Sequence, residues 1–377
     1  MSAIQFIDLQ AQRRRLGTSL TRAIEAAVEG GQWIMGPQVR ELEEKLAHFV
    51  GVKHTLACAN GTDALMVVLR AWNIGPGDAV FVPAFTFAAS AEVVALVGAS
   101  PVFVDALEDT YNMDPASLEA AIAMVKREGK LVPKVIMPVD LFGQTADYHK
   151  LEPIARREKL LLLCDAAQGY GALLDGRRAG GIGDAATTSF FPAKPLGCFG
   201  DGGACFTNDD GLIELLRSIR VHGQGTDKYE NVRIGVNSRL DTIQAAILLE
   251  KMKIFPEEIE LRDKVAKRYT AALGRSNRIR VPRVIEGATS TWAQYTIQVP
   301  DRGKLQADLK AKGIPSAVYY PIPLHQQKGY KHFPSTPMPV SEKISQSVIS
   351  LPMHPYLDEK TQDCVIAAVL ESVGHTH

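Results

Sequence analysis

Apolar positions along this chain fall into two rhythms. Helical spacing comes first, over Ser19–Glu29 and, after Met35-Gly36-Pro37, over Val39–Phe49. Pro37 sits just inside a helix start, where its missing N–H would be unbonded anyway. Short apolar runs follow: His54–Ala59, Ala79–Pro83, Pro101–Asp105, Lys134–Asp140, Leu160–Asp165, Thr187–Phe191 and Ala204–Asn208 predict strands. Helical segments at Thr62–Ala71, Ala91–Gly98 and Tyr148–Lys159 lie between them. Apolar strands separated by helices imply a parallel or mostly parallel sheet covered on both faces. Ligands on such sheets bind at the carboxyl ends of the strands.

From Arg239 the pattern turns helical, with Leu240–Lys253 and then a helix from Pro256 to Leu273. The tail predicts a small α+β unit: strand Ala293–Val299, helix Lys304–Lys312, strand Ser316–Tyr320, and helices Ser341–Ser350 and Glu359–Val373. The expected organisation is a large α/β domain over residues 1–250. A long helix and a smaller C-terminal α+β domain fill 251–377, with Arg275–Gly287 as the best linker candidate. No internal repeat is visible.

Composition narrows the function classes. The 377 residues are 46% hydrophobic and 22% charged, with a formal net charge of +0. That balance offers no electrostatic case for nucleic acid or an anionic membrane surface. The longest apolar run, Ala79–Val104, is broken by Pro83, Glu92 and Pro101, and reads as strand, loop, helix and strand rather than a membrane span. The N-terminus lacks a basic-then-apolar leader pattern. Five cysteines without paired spacing read as thiols in a reducing compartment, so a cytoplasmic protein is expected.

The chemistry gathers at strand ends. Lys194 is an isolated lysine in Ser189-Phe190-Phe191-Pro192-Ala193-Lys194-Pro195-Leu196-Gly197, with Gly200, Gly202 and Gly203 beyond. A lysine is most often a surface residue. In a partly dry pocket, however, its amine has a lowered pKa and attacks carbonyls. Pyridoxal 5'-phosphate (PLP) needs such an amine, a partner for its ring nitrogen, a cover for its ring and a seat for its phosphate. Asp165 ends a fully apolar strand and is costly to bury unless paired, which suits the ring nitrogen. Gln168 could hydrogen-bond the ring hydroxyl. Phe87 could cover the ring, although core packing is the commoner fate of such a residue. Asn60-Gly61-Thr62-Asp63 joins a strand to a helix whose free N–H groups suit a phosphate, and Ser189 could add a hydroxyl. Each feature is weak alone; together they supply every part. No Walker, zinc or Ser-His-Asp pattern competes, and no metal is expected.

These segments resemble the DegT/DnrJ/EryC1/StrS sugar-nucleotide aminotransferases, of the aspartate-aminotransferase-like fold type I of PLP enzymes. The resemblance covers essentially the whole chain. It is carried by Asn60-Gly61-Thr62-Asp63-Ala64-Leu65, Asp165-Ala166-Ala167-Gln168, Ser189–Gly203 and Gly235-Val236-Asn237-Ser238-Arg239-Leu240-Asp241. It implies that Lys194 bonds the cofactor, Asp165 and Gln168 hold its ring, Phe87 stacks on it, and Gly61, Thr62 and Ser189 hold its phosphate. It also implies a homodimer in which Asn237 completes the partner's phosphate site. Arg239 would meet the carboxylate of the amino donor or of a uronic acid; a helix-start ion pair is its plainer role. Trp33, Tyr319, Tyr320 and His325 are implied substrate-lid residues. The subgroup most resembled aminates a UDP-linked 2-acetamido-2-deoxy-3-oxo-glucuronate with L-glutamate, yielding 2-oxoglutarate, for bacterial O-antigen. Phe190–Cys198 and Tyr320-Pro321-Ile322-Pro323-Leu324 carry that closer match. Alternatives are amination of another nucleotide-linked 3-keto or 4-keto deoxyhexose, and a regulatory protein that binds PLP without turnover. Two departures stand out: Asp140, where many relatives have His, and Ala193, where close ones can have Ser. The branch that replaces the lysine by histidine and dehydrates its substrate does not match Lys194.

Overall fold

The computed structural model describes residues 4–227 and 229–374. Two helices, α1 (Leu9–Glu29) and α2 (Pro37–Val50), precede the sheet. The chain then alternates through β1 (His54–Cys58), α3 (Gly61–Ala71), β2 (Asp78–Pro83), α4 (Ala89–Leu96), β3 (Ser100–Val104), α5 (Pro115–Glu128), β4 (Val132–Ile136), α6 (Tyr148–Glu158) and β5 (Leu161–Asp165). A small hairpin of β6 (Leu173–Leu174) and β7 (Arg177–Arg178) leads to β8 (Ala185–Ser189), β9 (Gly203–Thr207) and α7 (Asp210–Arg220). Next come α8 (Thr242–Met252), α9 (Phe255–Leu273), β10 (Tyr295–Gln298), α10 (Arg302–Ala311), α11 (Pro339–Ser347), β11 (Val348–Leu351) and α12 (Glu359–Ser372).

Seven strands form the main sheet in the order β1-β9-β8-β5-β4-β2-β3. Six run in one direction; β9 alone runs against its neighbours β1 and β8. The apolar runs have a simple cause. Successive residues of a strand point to opposite faces, and both faces are covered. Phe81 and Leu162 pack into one core with Val39, Leu42 and Leu46 of α2. Their neighbours Val80 and Leu163 pack into another with Leu65 and Val68 of α3 and Leu216 of α7. A third core joins the second half of α9 to the β10–β11 ladder, α10 and α12 through Tyr269, Tyr295, Leu309, Ile349 and Val369.

Several elements depart from the sequence expectations. α1 begins at Leu9 rather than Ser19: Asp8 caps it by accepting from the Ala11 N–H at 2.8 Å. Gly17, with φ 57 and ψ −136, interrupts its regular backbone. α5 and α7 were not anticipated, although both carry start signals. Asp114 accepts from the Ala116 N–H, and Asp209 from Gly211 and Leu212. Ser316–Tyr320 is not a strand; only Ala317 makes an isolated bridge, to Ser350. Nor does a helix span Ser341–Ser350. α11 stops at Ser347 and β11 pairs antiparallel with β10, because Val348-Ile349-Ser350-Leu351 is β-favouring sequence that completes the third core.

Candidate active site

A cleft of about 690 Å³ opens at the carboxyl ends of β1, β2, β4, β5 and β8. At one end is the turn from β1 into α3. Asn60 caps α3 by accepting from the Asp63 N–H at 2.7 Å. The turn is pressed against β8 and β9. A Cβ on Gly61 would lie 2.7 Å from the Ser189 Cβ, and one on Gly203 2.4 Å from the Asn60 carbonyl oxygen. Only glycine fits either place. Ser189 accepts from the Phe191 N–H at 3.3 Å and lines the cleft with Gly61 and Thr62.

Asp165 closes the floor at the end of β5. It is buried, accepting from the Ser90 hydroxyl at 3.1 Å and from the Ala167 N–H at 3.1 Å. Burial pushes its carboxyl pKa up; the Ala167 N–H, the Lys194 charge and Ser90 pull it back. Lys194 stands on the turn after β8, its N–H donating to the Phe191 carbonyl at 2.9 Å. Burial pulls its ammonium pKa down, against the attraction of Asp165. The cleft therefore joins an amine biased toward its neutral, nucleophilic form to a carboxylate close enough to act on it.

The far wall is aromatic. Gln168 accepts from the Phe142 N–H at 2.9 Å and donates to the Tyr320 hydroxyl at 3.1 Å. Tyr320 meets Phe85 edge-on, with ring centres 6.0 Å apart, and tilts against Phe87 at 6.4 Å. Phe87 is 57% exposed and lines the cleft with Tyr319 and Tyr320.

Nine of the expected residues thus share one cleft: Gly61, Thr62, Phe87, Asp165, Gln168, Ser189, Lys194, Tyr319 and Tyr320. Four lie outside its lining. Asn237 is exposed on the segment before α8, where it bridges Val221 and accepts from the Arg239 Nε at 2.9 Å. Trp33 is exposed, its indole donating to the Val28 carbonyl at 3.1 Å. His325 pairs with Glu342 at 3.1 Å. Sequence reasoning missed Ser90, Thr86 and Gln294. Ser90 is a lone hydroxyl in an apolar helix, a readable signal. Thr86 is announced only by its place beside Phe87, and Gln294 arrives from the residue just before β10, far along the chain.

The model of the DegT/DnrJ/EryC1/StrS aminotransferase family matches residues 15–370. The chain belongs to that family. It is 48% identical, over 97% of its length and 99% of the relative's, to the UDP-2-acetamido-2-deoxy-3-oxo-D-glucuronate aminotransferase of Pseudomonas aeruginosa. A crystal structure of a DegT DnrJ EryC1 StrS aminotransferase from Brucella abortus is 54% identical and superposes with a TM-score of 0.97, covering 98% of this chain and 100% of that one. The S. venezuelae DesV structure, in complex with a ketimine intermediate, is 34% identical with a TM-score of 0.94 over 100% of both chains. The fold is that of the type I PLP enzymes, the activity is that of a sugar aminotransferase, and the cofactor is PLP.

The residues present fit that cofactor. The Thr86 hydroxyl is buried at the cleft and has no partner among the described residues, so a polar group is wanted there. Gly61, pressed against Ser189, would offer backbone rather than side chain to a phosphate at the start of α3. The single ammonium of the cleft lies within the field of Asp165.

Proposed function

We propose that this aminotransferase moves the amino group of L-glutamate to the 3-keto carbon of a UDP-linked 2-acetamido-2-deoxy-3-oxo-hexuronic acid. The product would serve lipopolysaccharide O-antigen synthesis in the cytoplasm. The observation that carries the substrate reading is the 48% likeness, over nearly all of both chains, to an enzyme named for that substrate.

When bound, PLP supplies the electron sink that makes the donor Cα–H acidic. The protein does the rest. Gly61, Thr62 and Ser189 hold the phosphate at the start of α3, where backbone N–H groups and the helix dipole favour an anion. Asp165, kept dry at the end of β5, holds a proton on the ring nitrogen. Gln168 reaches the ring hydroxyl beside Tyr320, and Phe87 covers one ring face. Lys194 bonds the cofactor before the donor arrives. The donor's amino group would displace Lys194 from the cofactor; the freed amine, its pKa lowered by burial, would then take the proton from the donor Cα and run the transfer in reverse on the sugar.

Asn237 and Arg239 are outside the cleft of their own chain, on a segment that also exposes Val232 and Ile234. Apolar side chains presented this way suit a protein contact. In a homodimer, Asn237 completes the partner's phosphate site and Arg239 offers a planar fork to a carboxylate. Glutamate and a uronic acid both carry one, so a single arginine serves both halves of the reaction. Trp33, Tyr319, Tyr320 and His325 are read as substrate-lid residues, of which Tyr319 and Tyr320 line the cleft. The functional division is read at residues 1–250 and 251–377, a reading supported by the third core, which gathers the second half of α9 with the C-terminal elements; the second part contributes Tyr319 and Tyr320 to the aromatic wall.

The deciding experiment converts the enzyme to its amine form with L-glutamate. A panel of UDP- and dTDP-linked 3-keto and 4-keto sugars is then offered, and the return of visible PLP absorbance is followed. The 3-keto uronic acid should react fastest. Faster return with a sugar lacking the carboxylate would move the assignment to a neutral deoxyhexose.

A further inference from the structure

A second lysine lies behind the first. Lys251, in the last turn of α8, is 1% exposed. A lysine buried to this depth is costly unless its charge is answered. Its Nζ donates to the Gly197 carbonyl at 2.5 Å and stands 4.6 Å from the centre of the Phe199 ring. Burial lowers its pKa to about 8, while Glu258 and Cys198 pull the other way. Glu258 acts on it only from beyond ion-pair distance, so the direct contacts that hold the ammonium are a carbonyl and a ring.

Both contacts belong to the loop that carries Lys194. The same face of α8 touches the loop again two turns earlier, where Gln244 accepts from the Phe199 N–H at 2.8 Å and packs against Gly200. The loop is also closed on itself. The Lys194 N–H donates to the Phe191 carbonyl and the Cys198 N–H to the Phe190 carbonyl, at 2.9 and 2.8 Å. A Cβ on Gly197 would lie 2.6 Å from the Phe191 carbonyl oxygen and 2.5 Å from that of Pro192. Gly197 therefore rests on the peptides that lead into Lys194, and a shift of its carbonyl moves them.

We propose that Lys251 is a positioning residue for Lys194: its buried ammonium holds the Gly197 carbonyl and so fixes where the Lys194 amine stands in the cleft. The inference rests on Lys194 being the residue that bonds the cofactor. α8 begins directly after the Asn237–Arg239 segment, so one helix braces the reactive loop and anchors the segment assigned to the partner's site.

The test uses PLP-loaded enzyme and the variants Lys251→Met, Lys251→Gln and Lys251→Arg. Readouts are the visible circular dichroism of bound PLP, kcat and KM for L-glutamate, and Tm. The methionine variant should keep PLP and lose about 10–100-fold in kcat, the scale of a 1 Å misplacement, with KM within about twofold. Its dichroism should fall, while its Tm holds or rises, since an apolar replacement of a buried charge is often neutral or stabilising. Lys251→Arg should restore part of the dichroism and kcat. If Lys251→Met does not fold, Lys251→Gln, which is uncharged and whose amide nitrogen is one bond too short to take the place of Nζ at the Gly197 carbonyl, decides by the same readouts. Wild-type dichroism and kcat in the neutral variant would overturn the proposal, as would losses that only track Tm and are not rescued by arginine. Lys194→Ala separates the two readings: if it keeps the visible PLP band, the assignment of Lys194 fails first.

Discussion

The strand-end floor of the cleft and the segment from Val232 to Arg239 are built on opposite terms. The floor is closed. Asp165 is buried with both carboxylate oxygens bonded, Gly61 abuts Ser189 without room for a methyl group, and Lys194 stands on a loop tied at both ends. The segment is open: Asn237 is exposed, Ile234 is 79% exposed, and Arg239 bonds only its neighbour's amide oxygen among the described side chains. Residues of one proposed site thus divide into those bonded within a chain and those that the proposed homodimer would cover. A floor of fixed dipoles and charges costs no reorganisation when the substrate reacts. In the proposed homodimer, an open rim would leave Arg239 free to meet a carboxylate at the partner's site.

The largest effect should come from the floor. Lys194→Ala should lower kcat by at least about 10⁴-fold, because both half-reactions use the same amine. Single-turnover conversion with L-glutamate measures this directly. A variant that retained even a tenth of wild-type turnover would remove Lys194 from the centre of the site.

The rim should behave differently. Arg239→Ala should lose about 10–100-fold, in kcat/KM for carboxylated partners only, as expected for one charge-assisted fork. The sharper experiment mixes the two variants after dissociation and reassembly. If Arg239 works across the interface, a mixed dimer has one site with both residues intact, and about one quarter of wild-type activity should return. No recovery would mean that Arg239 serves its own chain, and the contrast between floor and rim would dissolve.

A smaller effect tests the tightness of the floor. Gly61→Ala should cost about 1–3 kcal/mol of stability through overpacking against Ser189, and should weaken PLP retention during dialysis. A variant with unchanged Tm and PLP content would show that the turn can relax.

The floor is also where the sequence was readable. Leu160–Asp165 alternates between two cores and so appears as an unbroken apolar run with one acid at its end, a local pattern. The same holds for the glycine of Asn60-Gly61-Thr62 and the loop after Ser189. Ser90 and Thr86 were legible in principle, because each is a lone hydroxyl amid apolar neighbours, but neither spacing says what it faces. Gln294 reaches the cleft from beyond α9 through tertiary packing that no window of sequence contains. The Val348–Leu351 strand was lost for a related reason. After the helical Ser341–Ser347 its β-branched residues simply continue a periodic run, and only the pairing with β10 decides the matter. Lys251 was hidden most completely, since a lysine near a helix end is an ordinary sight.

Asp140 lies one layer beneath the floor, and its effect should be the most specific in sign. Its Oδ1 accepts from the Ala146 N–H at 2.9 Å and the Tyr148 hydroxyl at 2.7 Å, while its Oδ2 is buried without a partner among the described residues. Burial pushes its pKa to about 7; the Ala146 and Tyr148 donors pull it down and the Asp165 charge pushes it further up. In the unfolded chain an aspartate titrates near about 3.9. Between those values the folded protein holds the proton that the unfolded chain has released. Stability therefore falls as pH rises from about 4 to about 7, and the penalty is complete above that range. Asp140→Asn keeps an acceptor for both donors and cannot ionise. The variant should gain about 3 kcal/mol on the wild type between pH 5 and pH 8, read as the difference of two urea-unfolding series. Parallel series would mean that Asp140 keeps its charge when folded, and that the floor tolerates two adjacent carboxylates rather than one.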